Sequence, residues 1–218
     1  MALNINGTTG ISGVDGSVSA PALTGTDSNT GITFPSADTI KFATGGVERM
    51  SISNSGITGI TAGITMADQW RITSGGTLTT DATTIFSANW ERADTYASGQ
   101  IGSGMTESSG VFSFPSTGIY RIVGMMPFDR VSGETRYAYL QIQLTTDNSS
   151  YNVISTGSGS FASAYSRNTA CVQYHLDVTD TSTHKLKFSA YTNRSSVRFH
   201  GNTSNQENSF TFIRLGDT

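Results

Sequence analysis

Charge is scarce in this 218-residue chain: charged residues make up 13%, about half of the ~25% of an ordinary globular protein. The net charge is −3 and the sequence pI 5.5, which argues against nucleic acid as a partner. One cysteine, Cys171, excludes an intrachain disulfide. With no histidine beside it in a nucleophile pattern, it reads as a small hydrophobe in a strand. No stretch approaches the ~20 apolar residues of a spanning helix, so no membrane insertion is expected. The first residues lack both the basic region and the apolar run of a signal peptide. No long segment repeats its apolar residues with the helical period.

What fills the gap is Ser, Thr, Asn and 24 glycines, with only 4 prolines. These residues are weak helix formers that suit extended structure, so the chain is expected to be all-β. Residues 1–30 carry too few apolar side chains for a core and read as an extended anchor that orders on docking. Residues 31–69 read as a short-strand shaft or collar. Gly56-Ile57-Thr58, Gly59-Ile60-Thr61 and Gly63-Ile64-Thr65 repeat at spacings of three and four, which excludes collagen register. One isoleucine per repeat suits strands that bury a single side chain against neighbouring chains, and a glycine-rich linker is the alternative.

Residues 70–218 read as a head of regularly spaced strands. Tyr137 to Leu144, Ala170 to Val178 and Lys185 to Ala190 alternate apolar and polar residues, with turn clusters between them. In the first of these the glutamines are expected to face outward. The pattern predicts an antiparallel jelly-roll sandwich. At its centre Gly110 to Gly124 reads as a β-hairpin with a Pro115-Ser116-Thr117-Gly118 turn. Its second arm is apolar on both faces, with Tyr120 and Ile122 on one and Ile119, Val123 and Met125 on the other. The closing strand repeats this, with Phe210 and Phe212 opposite Ile213 and Leu215. Strands of this kind need a cover on each side, so one face is expected to pack on the sandwich and one on sister subunits. Phe112, Phe114, Tyr120, Ile122, Phe210 and Phe212 are the candidates for that trimer interface.

The chemistry inventory is short. Gly-x-Ser-x-Gly, a phosphate loop and His-Glu-x-x-His are all missing, and no pair of carboxylates stands out as a hydrolase would need. No cofactor and no catalytic residue are expected. His175 and Asp177 share a strand face and could hold a metal, but exposed polar alternation explains them as well. Arg194, Arg198 and His200, near Phe199, form a cationic and aromatic patch suited to phosphate or sugar acids, or an ordinary solvated loop. Tyr151 and Tyr165 could stack on sugars. The loops Asp147 to Tyr151, Gly157 to Asn168 and Tyr191 to Asn205 are therefore the candidate receptor surface.

Two resemblances add to this reading. Asp38-Thr39-Ile40-Lys41-Phe42-Ala43-Thr44-Gly45-Gly46-Val47-Glu48-Arg49-Met50, closing with Asn54-Ser55-Gly56, resembles a segment that recurs in structural fibre proteins of tailed bacteriophages, marine ones especially. Phe86-Ser87-Ala88, Gly110 to Tyr120 and Ser209 to Phe212 resemble, in that order, the complement and tumour-necrosis-factor type jelly roll. The second resemblance implies a ten-stranded sandwich in a compact trimer. Together they imply a virion protein assembled in the host bacterial cytoplasm. Its expected partners are itself, other virion proteins through the N-terminal segment, and a host surface glycan or protein. The expected role is a trimeric tail fibre or spike component for attachment. The alternatives are a capsid decoration or head-fibre trimer and, from another class, a glycan-degrading enzyme.

Overall fold

The computed structural model describes residues 15–59, 63–132, 136–193 and 196–218, and residues 4–6 and 10–12 by backbone only. Every described element is a strand. The chain divides into two compact units, Met1–Gly63 and Ile64–Thr218. The head thus begins six residues earlier than the sequence pattern suggested, because its first strand already uses Met66 as a core side chain, 3% exposed.

In the first unit β1 (Asn4–Asn6) pairs with β2 (Gly10–Ser12), and β3 (Gly16–Ser17) with β4 (Ala20–Pro21). A five-stranded antiparallel sheet follows in simple order: β5 (Leu23–Thr24), β6 (Gly31–Thr33), β7 (Ile40–Thr44), β8 (Val47–Ser53) and β9 (Gly56–Thr58). The stretch read as an anchor therefore supplies β1 to β5. Between β7 and β8 the two-residue loop Gly45-Gly46 has φ of 60° and 74°, which suits the tight hairpin that a right-twisted strand pair prefers. The repeated Gly-Ile-Thr opens as β9 at the edge of this sheet. Ile60 and its neighbours up to Ala62 lie outside the described residues.

The head holds β10 (Met66–Ile72), β11 (Gly76–Thr77), β12 (Ala82–Ile85), β13 (Trp90–Arg92), β14 (Thr106–Ser108), β15 (Val111–Ser113), β16 (Gly118–Arg130), β17 (Tyr137–Thr145), β18 (Asn152–Ser160), β19 (Arg167–Val178), β20 (Lys185–Thr192), β21 (Val197–Phe199) and β22 (Ser209–Gly216). One sheet runs β19, β16, β22, β10, β13, with β21 beside the far end of β16 and β11 beside β21. The other runs β14, β15, β20, β17, β18, with β12 beside β20. All these pairings are antiparallel. The result is a jelly-roll sandwich. The two strands that are apolar on both faces, β16 and β22, are neighbours in the interior of the first sheet.

One local expectation is corrected and another refined. The arms of the central hairpin do not pair: β15 joins β14 and β20, whereas β16 joins β19 and β22. Pro115 to Gly118 therefore carries the chain from one sheet to the other. The crossing is held by the Tyr120 hydroxyl donating to Ser116 O (2.9 Å) and by Phe114 against Tyr120 at 4.8 Å. Gly118 sits at φ 137°, where an added Cβ would lie 2.5 Å from Gly216 O. The second concerns Gln143, which does face outward, opposite Lys187, yet is only 9% exposed there: its amide donates to Ser189 Oγ at 2.9 Å on the same face.

Rings fill the space between the sheets. Trp90 stands edge-on to Phe112 (4.8 Å) and Phe210 (4.7 Å), and Phe188 meets Phe210 at 4.5 Å. Such pairs each add about 0.5–1.5 kcal/mol beyond the area they bury. The two sheets also approach along one seam, where Gly157 lies against Cys171 O and Ser155 Oγ donates to Gln173 O at 3.0 Å.

Candidate functional site

The six side chains expected at a trimer interface belong instead to the chain's own core. Phe112, Tyr120, Ile122, Phe210 and Phe212 are 0% exposed and Phe114 is 4% exposed. A side chain with no accessible area has none to give to a second copy. The alternation identified two faces, and the one expected to look outward is the one that looks inward. The outward face is read off the ladder instead. Arg121 stands between His175 and Ile213, and Val123 between Gln173 and Thr211. Ala67 and Gln69 extend these rows onto β10. Ile119, Val123, Met125 and Ile213 are half-buried and Leu215 is 51% exposed, giving apolar positions down the middle of the sheet, interrupted by the exposed Arg121. Gln69 donates to Thr211 Oγ1 (3.1 Å) and receives from Gln206 (2.9 Å) at the border of these positions.

The five candidate receptor residues do not converge. Tyr151 precedes β18, whose nine residues span roughly 30 Å. Tyr165 follows it, so the two rings lie at opposite ends of the sandwich. Tyr151 is at the near end, where Ile64 enters and Thr65 accepts from Arg214. Its ring lies under Lys187 Nζ at 3.8 Å, an engaged pair rather than an open stacking platform. The adjoining turn is also closed on itself. Asp147 accepts from the amides of Ser150 and Ser149 and from the Thr145 hydroxyl, which hold its carboxyl well below the usual range. Arg194 lies outside the described residues.

The far end brings Arg198 and His200 together on a strand residue the sequence did not single out, with Tyr165 on a loop joined to the next residue of that strand. Asp129 accepts from Arg198 Nη2 at 2.8 Å and pairs with His200 Nε2. Burial raises its pKa, and the hydrogen bonds from Arg198 and His200 outweigh this, leaving it below the ordinary carboxylate value. Tyr165 is 83% exposed at φ 61°, and its N–H donates to Arg130 O at 2.7 Å. A bulky residue is rarely found in that backbone region, so the ring is held outward at a conformational cost. Arg130, Arg136, Ser160 and Phe161 line an open hollow of 520 Å³ beside it. A second hollow of 310 Å³ lies over Gly75, Gly76 and Phe199, flanked by Arg198 and His200. On an acidic protein this end is locally cationic. The loop expected from Gly157 shortens to 161–166, because β18 continues through Ser160.

What positions the far end was not legible. Asn208, fully buried, accepts from Ile72 N–H (2.7 Å) and donates to Ile72 O and His200 O (both 2.9 Å), clamping the loop after Phe199 to β10. Arg71, also fully buried, bonds Glu91 (2.8 Å), Asp94 (2.7 Å) and Thr95 (2.9 Å). Asp68 is buried too and accepts from Arg92, Trp70 and the Met105 amide. These charges, scattered as single letters in 66–105, fix an insert that holds Tyr96, 88% exposed. The only signal for them was charge inside an otherwise apolar strand, Met66 to Ile72. For His175 and Asp177, the ladder places Arg121 across from His175, and among the described residues no group of three metal-ligating side chains forms.

No family model matches the sequence, and no curated protein matches it. Among solved structures, Eiger TNF from S. frugiperda aligns with 70% of this chain and 93% of its own length at 13% identity, with a TM-score of 0.53. Murine APRIL aligns with 69% of this chain and 98% of its own, 11% identical, at 0.52. The PRD1 vertex protein P5 aligns with 71% and 100%, 18% identical, at 0.46, too low to bear on the fold. At these identities the first two speak for the fold alone: the head is a jelly-roll sandwich similar in fold to these two proteins.

Proposed function

We propose that the chain is a non-catalytic structural protein of a bacteriophage particle, a homotrimer joined through the outward face of the sheet β19-β16-β22-β10-β13. The observation that carries this is the outward apolar set Ile119, Val123, Met125, Ile213 and Leu215 on the two strands interior to that sheet. Apolar side chains left open on the interior strands of a sheet suit a partner that covers them. The head's resemblance implied a trimer, and the Asp38 to Gly56 resemblance supports the particle. In this reading the first unit docks on other virion proteins. The far end, around Tyr165, Arg198, His200 and Arg136, meets the host surface, a weak single contact made avid by three copies.

Native mass spectrometry of the purified protein tests the trimer, and a clean monomer would refute it. Imaging of labelled particles tests the location: a signal at the tail supports attachment, one on the head a decoration role. Replacing Tyr165, Arg136 and Arg198 by alanine should reduce adsorption to host cells at least tenfold without changing the mass of the assembly. Unchanged adsorption would move the role to particle stabilisation.

A further inference from the structure

The five-stranded sheet of the first unit is inside out. Leu23, Ile32, Phe42 and Met50 stand opposite one another across β5 to β8, and Ile40, Ile52 and Ile57 form the next row. Partners across a ladder share a face, so all seven lie on one side. That is the open side: Leu23 is 42%, Ile40 and Ile52 36% and Ile57 61% exposed. The other side carries the ion pair Lys41–Glu48 (2.7 Å) and buries small or polar residues, Thr33, Ala43 and Ser51. Among the described residues the hydrophobic core holds none before Met66. A sheet this small does not hold itself together without a covered apolar face.

The open rows contain no charged residue, so any cover must itself be uncharged or be desolvated at a loss. The same face of another copy meets that requirement by construction. At the exposures above Leu23, Ile40, Ile52 and Ile57 leave on the order of 300 Å² of apolar area per copy, so two copies cover about 600 Å² from these four side chains alone, to which the half-buried Ile32, Phe42 and Met50 and the exposed Phe34 add. At one end Phe34, Ile40 and Ile52 floor a 450 Å³ hollow rimmed by Ser36, Asp38 and Asn54, with Asn54 Nδ2 donating to Asp38 at 3.1 Å. An apolar floor with a paired polar rim is interface anatomy. We propose that β5–β9 is a self-association surface whose apolar face is covered by the same face of sister copies, holding the copies together independently of the head.

The test is a two-by-two set of full-length variants weighed by native mass spectrometry. One member, Ile213→Lys with Leu215→Lys, places charge on the head's outward face. Another, Ile40→Asp with Ile52→Asp, places charge on the first unit's open face. The third combines them, and circular dichroism checks that each stays folded. The head variant should remain multimeric and only the combination should be fully monomeric. A monomeric head variant overturns this proposal, including the case in which another virion protein covers the sheet. A monomeric Ile40→Asp, Ile52→Asp protein leaves it standing and sinks the head-trimer reading instead. Should a variant misfold, hydrogen exchange on the unsubstituted protein decides. Amides of β7 and β8 should lose protection at least tenfold when dilution dissociates the assembly, and protection independent of mass would overturn the proposal.

Discussion

Asp68 illustrates how one buried charge organises its surroundings. Its carboxylate is closed from solvent and receives Arg92 (2.9 Å), Trp70 Nε1 (2.8 Å) and the Met105 amide (2.7 Å), while the Arg92 guanidinium lies 4.6 Å from the Trp70 ring. Removing the partner of a buried charge is more damaging than removing both, because the remaining ion keeps its desolvation penalty. Arg92→Met should therefore lower stability by about 3–5 kcal/mol in urea unfolding, and adding Asp68→Asn should recover part of the loss. Asp129 supplies a pH signature. Its pKa is lowered on folding, so its contribution is full above the unfolded value near 4 and is lost as pH falls through the folded value. The melting-temperature gap between the native protein and Asp129→Asn should close as pH falls below about 4.

At the scale of the element, β22 carries opposite roles on adjacent residues. Phe212 meets Phe112 at 5.2 Å inside the sandwich, whereas Ile213 faces outward beside Arg121 and Ala67. Phe212→Ala should cost about 3–5 kcal/mol and reduce assembly only by unfolding the head. Ile213→Lys should leave the thermal transition within a few degrees and weaken the head-to-head contact. Differential scanning calorimetry together with native mass separates the two. The seam between β18 and β19 makes a second case. An added Cβ at Gly157 would sit 1.8 Å from Cys171 O, so Gly157→Val should open the seam and raise hydrogen exchange along β18. This is the reason for the small-residue run Ser155 to Ser160, which the sequence pattern had placed partly in a loop.

At the scale of the molecule, the two units make separate claims. Ile64–Thr218 contains every described residue of the hydrophobic core, and Thr65 and Met66 already belong to this unit through Arg214 and burial. A chain starting at Ile64 should keep the cooperative unfolding of the head and fail to join particles. Incorporation of that shortened chain at the normal level would remove the docking role from the first unit. The all-β class, the uncharged polar surfaces and the two strands that need cover on both faces were determined by the residues alone. Alternation and composition are local, and β16 and β22 carry them in consecutive letters. Only the tertiary structure decided which face looks inward, since a period of two names two sides without ranking them. It also decided that Pro115 to Gly118 crosses between sheets. Turn residues specify that a chain reverses, while the pairing of the returning strand depends on β19, β20 and β22, which lie tens of residues away. The grouping of Asp129, Arg198, His200 and Tyr165 at one end has the same origin. No spacing encodes it, because the end of a sandwich is assembled from loops whose only relation is the sheet between them.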